Sequence, residues 1–150
     1  MTNDRNGHCH IRLEGQVCHM SKERTEEVMR LYLGEVLGKR RFELIPDFTA
    51  LDMIDHTSHL RGPAALDAHA RGFCSNMSDA QIEIETVFAT EDASIGIWRW
   101  RGTPQQHMGV SAGGKAIYPT RVASIFQFKN SMLSEYRPFV DAVELRNQLS

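Results

Sequence analysis

The hydrophobic period of the chain changes once, from helical spacing in the first half to strict alternation in the second. Ser21 opens a helical stretch. Glu23, Glu26 and Glu27 put negative charge in its first turns, where the helix dipole favours it, and Val28, Leu31, Tyr32 and Val36 follow at helical spacing. Gly38 and the basic run Lys39-Arg40-Arg41 suit its end. A short second helix is predicted over Phe42 to Ile45, stopped near Pro46. Leu51 to Thr57 is short and semi-alternating and leads into the polar stretch His56 to Arg61. Gly62-Pro63 marks a helix entry, because Pro is tolerated in a first turn, and Ala64 to Phe73 carries the third helix.

After Asn76 the alternation predicts strands. In Gln81 to Ala89, Ile82, Ile84, Thr86 and Phe88 form one set and Glu83, Glu85 and Val87 the other. Thr90-Glu91-Asp92 reads as a hairpin turn into a strand over Ser94 to Arg101. Thr103 to Lys115, with Pro104 and Gly113-Gly114, reads as a loop. Ala116 to Phe128 is a long strand, Lys129-Asn130-Ser131 a turn, Met132 to Val140 the last strand, and Asp141 to Leu149 a closing helix. Leading helices followed by a strand meander predict an α+β fold. N-terminal helices pack on a curved antiparallel sheet and enclose a cone-shaped pocket of the kind that binds small ligands.

Composition narrows the partners. With 41% apolar and 24% charged residues over 150 positions, the chain has material for one domain and one core. A formal net charge of −2 disfavours nucleic acid or an anionic membrane, which call for a basic face. No run of about 18 apolar residues predicts a membrane span. Residues 1–20 show no clear period and read as a flexible tail, without the apolar centre of a signal peptide. Cys9-His10 and Cys18-His19 in that tail offer zinc-type ligands, but adjacent Cys-His pairs strain a tetrahedral site, so no metal is expected. Three cysteines without an export signal predict reduced thiols and a cytoplasmic location. No phosphate loop, dinucleotide fingerprint, His-Glu-x-x-His or Gly-x-Ser-x-Gly motif occurs.

Several short segments share an order and spacing. They are Asp52-Met53-Ile54-Asp55-His56, Arg61-Gly62-Pro63, Trp98-Arg99-Trp100-Arg101-Gly102-Thr103 and Met108-Gly109-Val110, then Gly114-Lys115, Lys129-Asn130, and Asp141 with Leu145 and Gln148-Leu149. In these features the chain resembles the SnoaL-like polyketide cyclases, within the nuclear transport factor 2-like group, over roughly residues 24–149. The resemblance implies a cone-shaped α+β barrel and enzymes that close rings by an intramolecular aldol reaction without a cofactor, using an acidic residue as base. Isomerases, lyases of the dehydratase kind, hydrolases and non-catalytic binding domains share that fold, so fold alone does not decide function. It also implies a homodimer through the sheet. The cyclases' essential acidic residue aligns with Pro138 and their pocket histidine with Ala123, which places classical polyketide cyclisation in question.

Candidate chemistry falls on few residues. Asp55 aligns with a polar pocket position and is the candidate base; otherwise it caps a strand end. Its neighbour His56 points the opposite way on an extended chain. His59 either swings in from its loop to touch substrate or stays solvated. Tyr136 shares strand parity with Pro138, so it either donates a hydrogen bond to a developing oxyanion or is a core tyrosine. Arg121 shares a face with Ala123; it either holds an enolate or carboxylate in the pocket or pairs with a neighbouring Glu. Trp98 and Trp100 alternate with Arg99 and Arg101, which pair with Glu83 and Glu85 across the hairpin, and Trp98 is a candidate wall for the substrate. His107 lies in the loop at the expected mouth of the pocket. The resulting expectation is a cofactor-independent acid–base enzyme acting on a hydrophobic carbonyl compound by cyclisation, isomerisation or dehydration. Its rival is a non-catalytic domain of the same fold that binds a small molecule or a protein.

Overall fold

A computed structural model describes residues 19–103 and 117–149. Of the predicted tail, residues 1–18 lie outside the described residues, while Met20 is buried in the core.

Helix α1 (Lys22–Leu31) starts where the sequence places it: the Ser21 hydroxyl accepts the Arg24 backbone N–H at 3.1 Å. The helix continues through a π-helical segment, Tyr32–Leu37, which turns Tyr32, Leu33, Val36 and Leu37 into the core. Its exit does not use Gly38 in a left-handed conformation; Arg40 takes that role with φ 60°. A 3-10 turn over Phe42–Leu44 precedes helix α2 (Ile45–Phe48). Pro46 therefore begins a helix rather than ending one, as its fixed φ and missing N–H allow in a first turn. Strand β1 is Thr49–Asp55 and helix α3 is Gly62–Asn76, longer at both ends than predicted. Strands β2 (Gln81–Ala89), β3 (Ala93–Gly102), β4 (Ile117–Lys129) and β5 (Met132–Val140) then form the meander, and helix α4 (Ala142–Leu149) follows. The β4–β5 turn uses Asn130 and Ser131 at φ 51° and 64°, the twist that suits a two-residue hairpin.

The five strands form one open sheet in the order β1-β5-β4-β3-β2. The α+β class and the helices-on-sheet arrangement are as predicted. The sheet itself is mixed: β1 lies parallel to β5, because the chain reaches β1 before the meander and enters beside its last strand. The α1 helix packs on β2 and β3, α3 on β1, and α4 on β4. Trp98 and Trp100 of β3, Val122, Ser124, Phe126 and Phe128 of β4, and Leu133 and Tyr136 of β5 are buried under the helices, joined by Met53 and Asp55 of β1.

Predicted parity fails at one place. A bulge between Ile84 and Thr86 shifts the β2–β3 register, so Val87 opposes buried Gly96 and Phe88 turns outward, 62% exposed. An extra residue in one strand reverses every later side chain.

Candidate functional site

Asp55 and Tyr136 are register partners on the adjacent parallel strands β1 and β5, and both are buried. His69 reaches them from α3, in the layer above. The Tyr136 hydroxyl lies 3.1 Å from His69 Nε2, with the rings edge-on at 5.0 Å between centroids. On the other side of the imidazole, Nδ1 lies 3.3 Å from the Thr57 hydroxyl. That hydroxyl donates to Asp55 Oδ1 at 2.6 Å, and the Thr57 backbone N–H donates to the same oxygen at 2.7 Å. This is an Asx-type turn: the carboxylate at the strand end stops β1 and folds the chain back over itself. Asp55, Thr57, His69 and Tyr136 thus form one polar chain running from the protein surface at Thr57 into the apolar interior.

Tyr32 of the π-helical segment completes the cluster. Its ring meets Tyr136 edge-on at 5.9 Å and Phe126 at 5.2 Å, and its buried hydroxyl lies beside Tyr136 without a well-formed hydrogen bond. Asp55 Oδ2 is likewise buried without a partner among the described residues. Trp98 lines the same face: its Nε1–H donates to the Ser124 hydroxyl at 3.0 Å, and its ring stands edge-on to Phe73 at 5.7 Å.

Burial decides the protonation behaviour of these groups. It pushes the Tyr32 hydroxyl well above the ordinary tyrosine range, and the neighbouring Tyr136 and the charge of Asp55 add to this. Burial also raises Tyr136; the nearby Tyr32 hydroxyl partly opposes this, and the charge of Asp55 adds to it. Burial lowers His69, and the charge of Asp55 only partly opposes it. The cluster therefore holds its tyrosines as neutral donors and its histidine as a neutral base, with Asp55 acting on all three.

Other predicted residues lie elsewhere. Arg121 is on the outer face of the sheet, its side chain 55% exposed, and pairs with Glu85 at 3.2 Å; Glu85 also pairs with Arg99. It does not join Asp55 and Tyr136, because β4 buries the alternate set Val122, Ser124 and Phe126. Ala123 opposes Phe139 and shares the outer face with Arg121, whereas Pro138 opposes inward-facing Ser124. His59 is exposed in the turn before α3. His56 points away from Asp55, as expected, to Glu135 at 2.8 Å and Arg137 at 3.0 Å. His107 lies outside the described residues. Sequence reasoning missed His69, Thr57, Tyr32 and Ser124. His69 did carry a signal: it follows Ala65 by four and Leu66 by three, on the buried stripe of α3.

The sequence model of SnoaL-like polyketide cyclases matches residues 26–149. The chain belongs to that family. No curated protein matches it. Its fold is similar to that of TsrD from Streptomyces laurentii, with a TM-score of 0.75 at 14% identity over 87% of this chain and 98% of TsrD. It is similar to a SnoaL-like polyketide cyclase from Agrobacterium tumefaciens, with a TM-score of 0.73 at 14% identity over 84% of this chain and 98% of that one. It is also similar to an LEH-like epoxide hydrolase from M. tuberculosis, with a TM-score of 0.62 at 12% identity over 85% of this chain and 90% of that one. At such identities the likeness is one of fold. As a SnoaL-like domain, the chain has the general architecture of an enzyme group whose chemistries differ. No helix among the described residues is long and apolar enough to cross a membrane.

Proposed function

We propose that this SnoaL-like domain is a cofactor-independent enzyme that handles protons on a hydrophobic carbonyl compound, in a cyclisation, isomerisation or dehydration. The observation that carries the reading is a buried acid–base cluster with two unsatisfied polar atoms, Asp55 Oδ2 and the Tyr32 hydroxyl. Buried polar groups are nearly always hydrogen-bonded, so orphans at an acid–base cluster point to a ligand. A ligand carbonyl oxygen would accept from Tyr32 and take up negative charge as an adjacent C–H loses its proton. His69, kept neutral by burial, and Asp55 supply the base strength. Trp98, Phe126 and Met53 provide the apolar surround. Arg121 has no part in this reading.

A second reading, a binding or association domain without catalysis, draws on the close packing of the interior: Tyr32, Tyr136 and Phe126 are each at most 2% exposed. The two readings separate in one experiment. Cyclic ketones that raise the melting temperature identify ligands. Proton NMR in D2O then follows exchange of their α-hydrogens. Exchange accelerated by the protein and lost in Asp55→Asn and His69→Gln supports the enzyme; stabilising ligands without accelerated exchange support the binding domain.

A further inference from the structure

We propose that Thr57 is a positioning residue that fixes the tautomer of His69, holding the ring proton on Nδ1 and leaving Nε2 as a base aimed at Tyr136. The argument is a count of protons. The Thr57 hydroxyl has one, and it is directed at Asp55 Oδ1, 2.6 Å away, an oxygen that also accepts the Thr57 backbone N–H. The same hydroxyl cannot also donate to His69 Nδ1 at 3.3 Å, so that contact has the imidazole as donor. A neutral imidazole has one N–H, so Nε2 carries a lone pair and accepts the Tyr136 hydroxyl proton at 3.1 Å. Burial keeps the ring neutral against the pull of Asp55. The groups facing His69 are Thr57, Asp55 and Tyr136, with Tyr32 beyond Tyr136, so each proton in the chain points from Tyr136 toward Asp55.

This direction gives the proposed reaction a balanced first step, which rests on the function proposed above; the tautomer itself does not. The substrate C–H breaks, its electron pair forms the enolate C=C bond, and the carbonyl π pair moves onto the oxygen that faces Tyr32. The proton goes to the Tyr136 oxygen as the original Tyr136 proton moves to His69 Nε2. The resulting imidazolium is held by Thr57 and by the charge of Asp55. No oxidant, reductant or metal takes part in this step.

The test uses the full chain labelled with 15N and the two-bond proton–nitrogen correlations of its histidine rings at neutral pH. The wild-type protein should show His69 with a protonated Nδ1 and a bare Nε2. Thr57→Val, which keeps the shape and removes the hydroxyl, should shift the tautomer ratio by about tenfold toward Nε2–H, the scale of one hydrogen bond. Thr57→Ser should restore the wild-type pattern. A bare Nδ1 in the wild-type protein overturns the proposal even if no variant folds, and so does a Thr57→Val spectrum unchanged from wild type. Failure of any ketone to exchange would instead count against the proposed reaction and leave the tautomer result standing.

Discussion

Tyr136, on the last strand, and His69, on the helix above it, meet with 3.1 Å between hydroxyl and Nε2 although 67 residues separate them. Replacing Tyr136 by Phe keeps its edge-on contacts with His69, Tyr32 and Phe126 and removes only the hydroxyl. We expect a stability loss of about 1 kcal/mol in urea denaturation, the net value of one neutral hydrogen bond. The neutral His69 ring loses the donor that favours it, so its NMR titration midpoint should rise. Exchange at a bound ketone should fall roughly 100-fold, the scale of losing a group that carries the proton to the base. An unmoved His69 midpoint would mean that the two groups are not bonded.

Stability should depend on pH at both ends of the range. The folded protein lowers His69, so acid protonates the unfolded chain first. The unfolded state then binds more protons, and stability falls as pH drops through about 6.5 toward the folded value, levelling off below it. Tyr32 and Tyr136 are raised in the fold, so their contribution is complete below about 10 and is lost as pH climbs above it toward their folded values. Urea midpoints measured across pH should decline on both sides. In His69→Gln the acid-side decline should shrink.

Gly62 holds the entry to α3 at φ +71°, and a Cβ there would press on the Leu51 backbone, with the carbonyl carbon at 3.1 Å. The left-handed conformation and the clash act together, since neither β1 nor α3 can yield without disturbing the turn that carries Asp55 and Thr57. Gly62→Ala should cost more than about 2 kcal/mol in urea denaturation. A variant as stable as wild type would show that the turn has room to relax.

Arg121→Ala tests the placement of that residue outside the site. Exposed ion pairs contribute little to stability, and Arg99 still pairs with Glu85 in the variant. The melting temperature, the His69 titration and any ketone exchange should match the wild type within error. A large loss of exchange would return Arg121 to the catalytic machinery.

Local chemistry made the elements legible. Periodicity, the Ser21 cap, the Gly62-Pro63 entry and the hairpin turns report backbone preferences that act within a few residues, and from them follow the helices, the four-strand meander and the α+β class. The segments resembling SnoaL-like proteins pointed to the family. Asp55 could be nominated because it aligns with a polar pocket position of the family, and Tyr136 because it shares strand parity with the aligned Pro138, and parity carries over short distances. Three things lay beyond that reach. The bulge near Glu85 reversed the predicted faces of Val87 and Phe88, since a single inserted residue changes parity without marking the sequence. Arg121 went outward because the register of β4 was decided by burying Val122, Ser124 and Phe126 instead. The meeting of His69 and Thr57 with the two nominated residues required β1 to pair with β5 and α3 to pack across β1. Those contacts join distant parts of the chain, and only the packed core brings them within hydrogen-bonding range.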